Sequence, residues 1–326
     1  MLNALGRSLL ARASTERPWT NVVGVARTFL ALGTALTLAF NDTGSLFRPG
    51  VDITDVPRCS SIRRIGAFCV APLEQLDLVR WVAVVILLVV ATGFRPRLTA
   101  LPHWWIAFSF QANAVVIDGG DQVTSILTLL LLPVALTDQR KWHWSVEPRS
   151  TSPGDARVLA RLLALLALIT VRVQVAAIYF HAVVGKLSVP EWGDGTVLYY
   201  WFTDPIFGAP PWMKPLVDPL LRHPAIAPLT WAVLLLEISL AMALVMDEKR
   251  RRALLGIGIA FHAAIALVLG LGSFAFAMSA ALVLHLRPTG SPFAFAWSSR
   301  RSNAAARARS EPAALPWPPS RWPARR

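Results

Sequence analysis

The sequence predicts an all-α protein, a polytopic bundle of about eight membrane-spanning helices. Of its 326 residues, 55% are hydrophobic and only 16% are charged, which is too apolar for a soluble domain. The apolar residues form long runs separated by short loops, as in proteins that cross a membrane repeatedly. The net charge of +13 lies mainly in these loops and in the C-terminal tail, so it does not indicate nucleic-acid binding.

The N-terminal half supplies four predicted spans behind a basic arm. The arm covers residues 1–20, and the spans cover residues 21–40, 78–94, 104–117 and 123–136. A short basic turn, residues 95–103, precedes the third span. The third and fourth spans have about 14 residues each, which is short for a perpendicular crossing, so they are either short helices or partly re-entrant segments. They flank the acidic turn, residues 118–122 (DGGDQ).

The C-terminal half supplies four more predicted spans and a tail. The spans cover residues 158–184, 226–246, 253–269 and 274–286. Residues 288–326 are rich in Ala, Arg, Ser and Pro and are expected to be disordered. The chain therefore divides into the arm, a transmembrane domain over residues 21–287 and the tail.

The distribution of basic residues predicts the orientation. With these spans, 22 of the 32 Lys and Arg residues fall on the N-terminal side of the membrane and 7 on the other side. Basic loops stay in the cytoplasm, so both termini are expected there, in the plasma membrane. The arm lacks the apolar core of a cleavable signal peptide, so the first span is expected to remain as an anchor.

The two cysteines lie ten residues apart in the first long polar loop. No others exist, so Cys59 and Cys69 can pair only with each other within the chain. If the loop is external, a structural disulfide is expected, and if it is cytoplasmic, free thiols are expected. The spacing is not that of a CxxC redox motif.

The fifth span carries the most informative polar residues. Arg172, Tyr179 and Lys186 are seven apart and form one stripe on a helix, while Gln174 and His181 form a second stripe roughly opposite. Ionisable residues at such depth usually face a bundle interior or a watery cavity. Alternatively, Arg172 and Lys186 snorkel to the two interfaces, with the aromatic residues from Trp192 to Trp201 as a belt.

Other spans carry further candidate residues. Glu237 lies near the middle of the sixth span, where the alternative to a functional role is pairing with Arg172 or Arg27. His262 lies in the seventh span, where the alternative is an interhelical hydrogen bond. The six histidines show no close spacing with carboxylates or thiols that would indicate a metal site.

Several segments in order resemble the sporulation-delaying-protein B family (SdpB-like), which is similar in turn to the HTTM domain of vitamin K-dependent gamma-carboxylases. The resemblance covers roughly residues 20–287. It rests on the segments NVVGVARTFLALGTALTLAFN, the cysteine loop, HWWIAFSF with IDGGDQV, LLLLPVALTDQRKWHW and IYFHAVVGKLSVPEWGDGTVLYYW.

The carboxylase-like motif gives several residues a candidate role. It reads here as Tyr179-Phe180, Lys186-Leu187 and Trp192-Gly193, and the matching lysine of the carboxylases is implicated in their chemistry. The segment FHAAIALVLGLGSFAFAM places His262 in a matching position. Asp121 stands where the carboxylases have histidine, which argues against carboxylation itself. The resemblance implies catalytic candidates and substrate-binding candidates: Lys186, Asp118, Asp121 and His262 for the first, and Tyr179, His181, Trp192, Asp194, Glu237 and Arg172 for the second.

The resemblance implies a role in maturing an exported peptide toxin. The expected partners are the peptide precursor, a small accessory maturation protein and the lipid bilayer, but no nucleic acid. Lys186 would serve either as a base or nucleophile after losing its proton, or as a fixed charge that binds a carboxylate. Two other hypotheses are an enzyme assisted by a vitamin K-type quinone and a non-catalytic immunity or export scaffold.

Overall fold

The fold is all-helical, as the composition predicts. A computed structural model describes residues 2–50, 55–145, 154–205 and 207–294. Its α-helices are α1 (Leu2–Thr15), α2 (Asn21–Phe40), α3 (Thr43–Leu46), α4 (Ala67–Val70), α5 (Leu76–Thr92), α6 (Pro96–Asn113), α7 (Gly119–Leu130), α8 (Leu132–Leu136), α9 (Asp155–Leu187), α10 (Pro190–Gly193), α11 (Val197–Thr203), α12 (Lys214–Leu221), α13 (Ile226–Met242), α14 (Glu248–Leu269) and α15 (Gly272–Leu286). Short 3₁₀ turns cover Ser61–Ile65, Leu73–Gln75, Pro211–Met213 and Ala243–Val245.

The core of the bundle is formed around α2 and α15. Helix α2 packs against both α5 and α15, and α14 and α7 cover other sides of α15. Every residue from Ala277 to Leu286 is buried. A helix that is apolar all round belongs in a protein interior, so α15 is the central helix rather than a lipid-facing one.

Five helical segments are long and apolar enough to cross a membrane. They are Asn21–Phe40, Leu73–Thr92, Asp155–Leu187, Ile226–Val245 and Glu248–Leu269. Apolar side chains such as Leu88, Leu235 and Leu267 are exposed on them, as expected for lipid-facing surfaces. The chain is therefore a multi-pass membrane protein. Helix α6, the α7–α8 pair and α15 correspond to the other three predicted spans, and the count of eight stays a prediction.

The helices on either side of the acidic turn begin at other residues than predicted. The predicted span over residues 104–117 is helix α6, which begins eight residues earlier, at Pro96, so most of the predicted basic turn is helical. Proline is well suited to the first turn of a helix because its missing N–H would be unpaired there anyway. The predicted span over residues 123–136 begins at Gly119 and is divided at Leu131, two residues before Pro133.

The N-terminal arm contains a helix that the sequence analysis did not predict. Helix α1 packs against the N-terminal part of α9, where Arg161 donates a hydrogen bond to the Ser14 carbonyl oxygen. Of the predicted disordered tail, residues 295–326 lie outside the described residues. The arm therefore contributes structure at the end of the bundle where α9 begins.

The basic, aromatic segment after α8 packs into the bundle through His143. The His143 side chain is 1% exposed and packs against Gly24 of α2 and Gly93, which follows α5. A Cβ atom on Gly93 would lie 2.3 Å from the imidazole, and the φ of +82° there also favours glycine. Burial, and then the charge of Arg27, lower the pKa of His143 to about 2, so the imidazole is neutral.

The polar loop after α2 contains a disulfide between Cys59 and Cys69. This loop docks on α6. The Asn113 side-chain amide donates to the carbonyl oxygens of Arg58 and Arg63, both at 3.0 Å, and the Ser109 hydroxyl accepts from the Ala67 N–H at 2.8 Å. The disulfide and these hydrogen bonds hold the loop against the bundle.

Candidate functional site

Helix α9 positions the central polar residues. Its 33 residues span about 50 Å, which exceeds the ~30 Å hydrocarbon thickness of a bilayer. Lys186 lies in its last turn and Tyr179 lies two turns earlier on the same stripe. This stripe faces α13 and α14, so the polar groups meet partners on other helices rather than lipid.

Lys186 forms an ion pair with Glu237 of α13. Its Nζ lies 2.6 Å from Oε1 and 2.7 Å from Oε2 of the carboxylate. The Glu237 side chain is 7% exposed and that of Lys186 is 23% exposed, so Lys186 is the more accessible partner. The Trp192 ring lies 5.2 Å from Nζ and adds a cation–π contact. Lys186 therefore contacts one carboxylate and one aromatic ring.

The turn after α9 holds Trp192 in place. Gly195 has φ +85°, and a Cβ there would lie 2.5 Å from the Ala227 Cβ, so this turn approaches α13 closely. The Thr230 hydroxyl donates to the Gly195 carbonyl at 2.9 Å. The Asp194 carboxylate accepts from the N–H and hydroxyl of Thr196, which lowers the Asp194 pKa. Asp194 is therefore a turn-forming residue in this structure.

A buried hydrogen bond joins Tyr179 to His262 of α14. The tyrosine hydroxyl lies 2.9 Å from Nε2, and each residue is 2% exposed. The imidazole packs against the Phe274 ring of α15, with 5.5 Å between centroids. The Tyr179 and Lys186 Cα atoms are separated by about 10 Å along α9. A buried Tyr–His pair thus lies one layer below the ion pair.

The acidic turn caps α7 and contacts α15. The Asp118 carboxylate accepts from the N–H groups of Gly120 and Asp121, and the Asp121 carboxylate accepts from the Asp118 N–H at 2.9 Å. The Ser273 hydroxyl donates to Asp118 at 3.0 Å. Burial, and then the charge of Asp118, raise the pKa of Asp121 to about 7. The turn is thus a reciprocal capping box.

The predicted site residues do not all come together. No hydrogen bond or ion pair joins Lys186 to Asp118 or Asp121 among the described residues, and the lysine pairs with Glu237 instead. His181 is exposed on the opposite side of α9. Arg172 lies fourteen residues before Lys186, about 21 Å along the helix, where it donates to the Leu284 and Arg287 carbonyl oxygens at 3.4 Å.

The residues that connect Lys186, His262 and the acidic turn to their neighbours were not predicted from the sequence. Glu237 was expected to pair with Arg172 or Arg27 if it had no functional role, and the structure pairs it with Lys186. Ser273 and Phe274 were not singled out, although they link the acidic turn to His262. Their place in the segment Gly272-Ser273-Phe274, which lies ten residues after His262, was their signal in the sequence.

The contacts of Lys186 support a role in binding a negatively charged ligand more than a role as a general base. A quinone-assisted base would need a neutral amine at Lys186, whereas both carboxylate oxygens of Glu237 and the Trp192 ring stabilise the ammonium. The residues present therefore do not fit that chemistry. Within the described part of the chain, no group of three His, Cys, Asp or Glu side chains is arranged to hold a metal ion.

Comparisons with known proteins match most of the chain. The model of the HTTM domain matches residues 65–289. The uncharacterized protein YitO of Bacillus subtilis (strain 168) is 38% identical over 245 residues, which cover 74% of this chain and 77% of YitO. Sporulation-delaying protein SdpB of the same organism is 34% identical over 240 residues, 73% of this chain and 72% of SdpB. No solved structure matches the chain.

Proposed function

The chain belongs to the HTTM-domain family as an SdpB-like membrane protein, and on that premise we propose that it acts in the maturation of an exported antimicrobial peptide. The peptide is of the toxin type that the SdpB-like resemblance implies. The precursor and a small accessory maturation protein are the proposed partners. The similarity to sporulation-delaying protein SdpB over 73% of the chain supports this proposal.

The observation that carries the proposal is the ion pair between Lys186 and Glu237. The Lys186 side chain is partly exposed and that of Glu237 is buried, so in this proposal Glu237 fixes a positive charge that a ligand can reach. Trp192 adds an aromatic surface beside that charge. A positive charge beside an aromatic ring suits a carboxylate next to an apolar residue, such as a peptide C-terminus or an acidic side chain.

The proposed site opens to the cell exterior. The excess of Lys and Arg on the N-terminal side of the predicted spans favours cytoplasmic termini. Lys186 lies in the last turn of α9, at the end away from this basic, cytoplasmic side. The disulfide loop is expected on the same external side as Lys186. An exported precursor would meet the site there, after crossing the membrane.

Mass spectrometry of the secreted peptide tests the proposed function. Cells would carry the wild-type protein, the variant Lys186→Ala, the control Lys214→Ala or no protein. Lys214 is an exposed lysine of α12 on the same predicted side. The proposal expects the same immature species from the Lys186→Ala and protein-free cells, and mature peptide from the control. Mature peptide from protein-free cells would contradict it.

A further inference from the structure

A second site lies at the other end of the bundle from Lys186. A cavity of about 720 Å³ opens between the end of α1, the middle of α9, the start of α14 and the end of α15. Four arginines line it: Arg12, Arg17, Arg172 and Arg251. Its size is within the usual range for small-molecule sites. Nothing in the proposed peptide maturation uses these residues.

The cavity carries uncompensated positive charge. Both acidic residues in its lining already have a basic partner, because Glu16 pairs with Arg12 at 2.7 Å and Glu248 pairs with Arg252. Arg172 donates only to main-chain carbonyl oxygens, through contacts of 3.4 Å. The Arg251 Nε is buried without a hydrogen-bond partner among the described residues. Among the described residues, the guanidinium groups of Arg172 and Arg251 thus line the cavity without forming an ion pair.

The rest of the lining is apolar or aromatic. Leu165, Leu168 and Leu284 form an apolar wall, and Trp19 and Trp144 lie at the same cavity. Tryptophan side chains commonly lie at the level of lipid headgroups. A free inorganic anion would contact only the arginines. A ligand with a phosphate and an acyl chain would contact both the arginines and the apolar wall.

The cavity also lies at the right depth for a lipid headgroup. Arg251 belongs to the basic cluster that begins α14, and this cluster marks one boundary of that candidate span. Arg172 donates to the carbonyl oxygen of Arg287, which directly follows α15, so it lies at the end of the bundle where α15 ends. Arginine forks bind phosphate oxygens through two parallel N–H groups.

We propose that this cavity binds an anionic phospholipid, with the headgroup phosphate between Arg172 and Arg251 and an acyl chain along the leucine wall. Basic pockets between helices on the cytoplasmic side of a bilayer are suited to such headgroups. The bound lipid holds α1 against α9, α14 and α15. This site is independent of the peptide-maturation proposal.

Native mass spectrometry of the purified full-length protein tests the site. The wild-type protein would be titrated with phosphatidylglycerol, with phosphatidylcholine or with glycerol phosphate. The variant would be Arg172→Gln with Arg251→Gln, and the control Arg250→Gln. Arg250 is exposed and pairs with Asp247 outside the cavity. We expect about tenfold weaker phosphatidylglycerol binding in the double variant, given the strength of charge-assisted hydrogen bonds, and unchanged binding in the control.

The three ligands separate the sources of the phosphate. Retention of phosphatidylglycerol over both phosphatidylcholine and glycerol phosphate by the wild-type protein supports a lipid site. Equal retention of the two lipids overturns the proposal, as does glycerol phosphate binding as tightly as phosphatidylglycerol. Unchanged phosphatidylglycerol binding in the folded double variant also overturns it. If that variant does not fold, the ranking of the three ligands on the wild-type protein decides alone.

Discussion

Lys186 shows how one residue can keep a charge at the edge of a membrane-spanning segment. An isolated ammonium there is costly to bury, and Glu237 offsets that cost through two short contacts. The seven-residue spacing of Tyr179 and Lys186 predicted their shared stripe. It could not predict Glu237, because the partner is 51 residues away in the chain and only packing of α13 on α9 brings it close.

Removing one partner of this pair is expected to destabilise the protein. Lys186→Met leaves the Glu237 carboxylate buried without its counter-charge, and Glu237→Gln leaves the ammonium with a weaker acceptor. Because Lys186 is 23% exposed, we expect a loss of about 1–3 kcal/mol for each, less than for a fully buried pair. Unfolding of the purified variants by denaturant measures it.

The double variant Lys186→Met with Glu237→Gln serves as the control for this prediction. It removes both charges, so it should lose less than the sum of the two single losses. Additive losses would show that the two side chains are not energetically coupled, against the observed ion pair.

The raised pKa of Asp121 leads us to expect that the stability of the protein depends on pH. Its folded-state pKa of about 7 is above the ordinary value of 3.8, so the folded state holds a proton that the unfolded state has lost. The contribution of Asp121 therefore falls as the pH rises from 3.8 to about 7, and it stays low above that. Asp121→Asn keeps an acceptor for the Asp118 N–H and should gain stability relative to wild type as the pH rises.

Melting temperatures of wild type and Asp121→Asn, compared at a series of pH values, check this expectation. Other titrating groups are common to both proteins, so their contributions cancel in the difference. A difference that is the same on both sides of pH 7 would mean that Asp121 does not titrate in that range.

At the level of elements, the sequence predicted which segments are helical better than where they begin. The long apolar runs correspond to α2, α5, α9, α13 and α14. Helix α6 began earlier than predicted because Arg97 and His103 were interpreted as turn residues, whereas His103 is 2% exposed inside the bundle. Burial of polar residues depends on neighbouring helices, which periodicity within one segment does not reveal.

The contact between α7 and α15 depends on Gly120. A Cβ there would lie 2.7 Å from the Phe274 Cα, whereas a Cβ on Gly119 would lie 3.6 Å from the Phe274 ring. Gly120→Ala should therefore push α7 away from α15 and cost about 1–3 kcal/mol. Gly119→Ala, the matched control, should be nearly neutral. Thermal unfolding of the two variants measures the difference, and equal melting temperatures would contradict this packing.

At the scale of the whole molecule, composition and basic-residue distribution predicted a multi-pass bundle, and the structure adds how its helices pack. The central position of α15 was not predictable, since its sequence indicated only the last of the predicted spans. Its buried residues contact α2, α7, α9 and α14, and these helices are distributed along the whole transmembrane domain. The orientation remains a prediction from charge alone.

Cysteine labelling in intact cells tests that orientation. After an impermeant reductant, Cys59 and Cys69 should react with an impermeant maleimide, because their loop is predicted to be external. For comparison, a Lys249→Cys variant that also carries Cys59→Ser and Cys69→Ser should react only after the cells are permeabilised. The reverse labelling pattern would show that the protein has the opposite orientation in the membrane, with the Lys186 site inside the cell.

We propose that Lys186 acts as a fixed positive charge held by Glu237. The decisive experiment is to measure peptide maturation by Lys186→Arg beside wild type and Lys186→Ala at equal membrane abundance. Arginine keeps the charge and can still pair with Glu237, but it does not release a proton near neutral pH. We expect Lys186→Arg to retain a substantial part of the maturation that Lys186→Ala loses. Complete loss in a folded Lys186→Arg protein would contradict it and favour a lysine that gives up its proton.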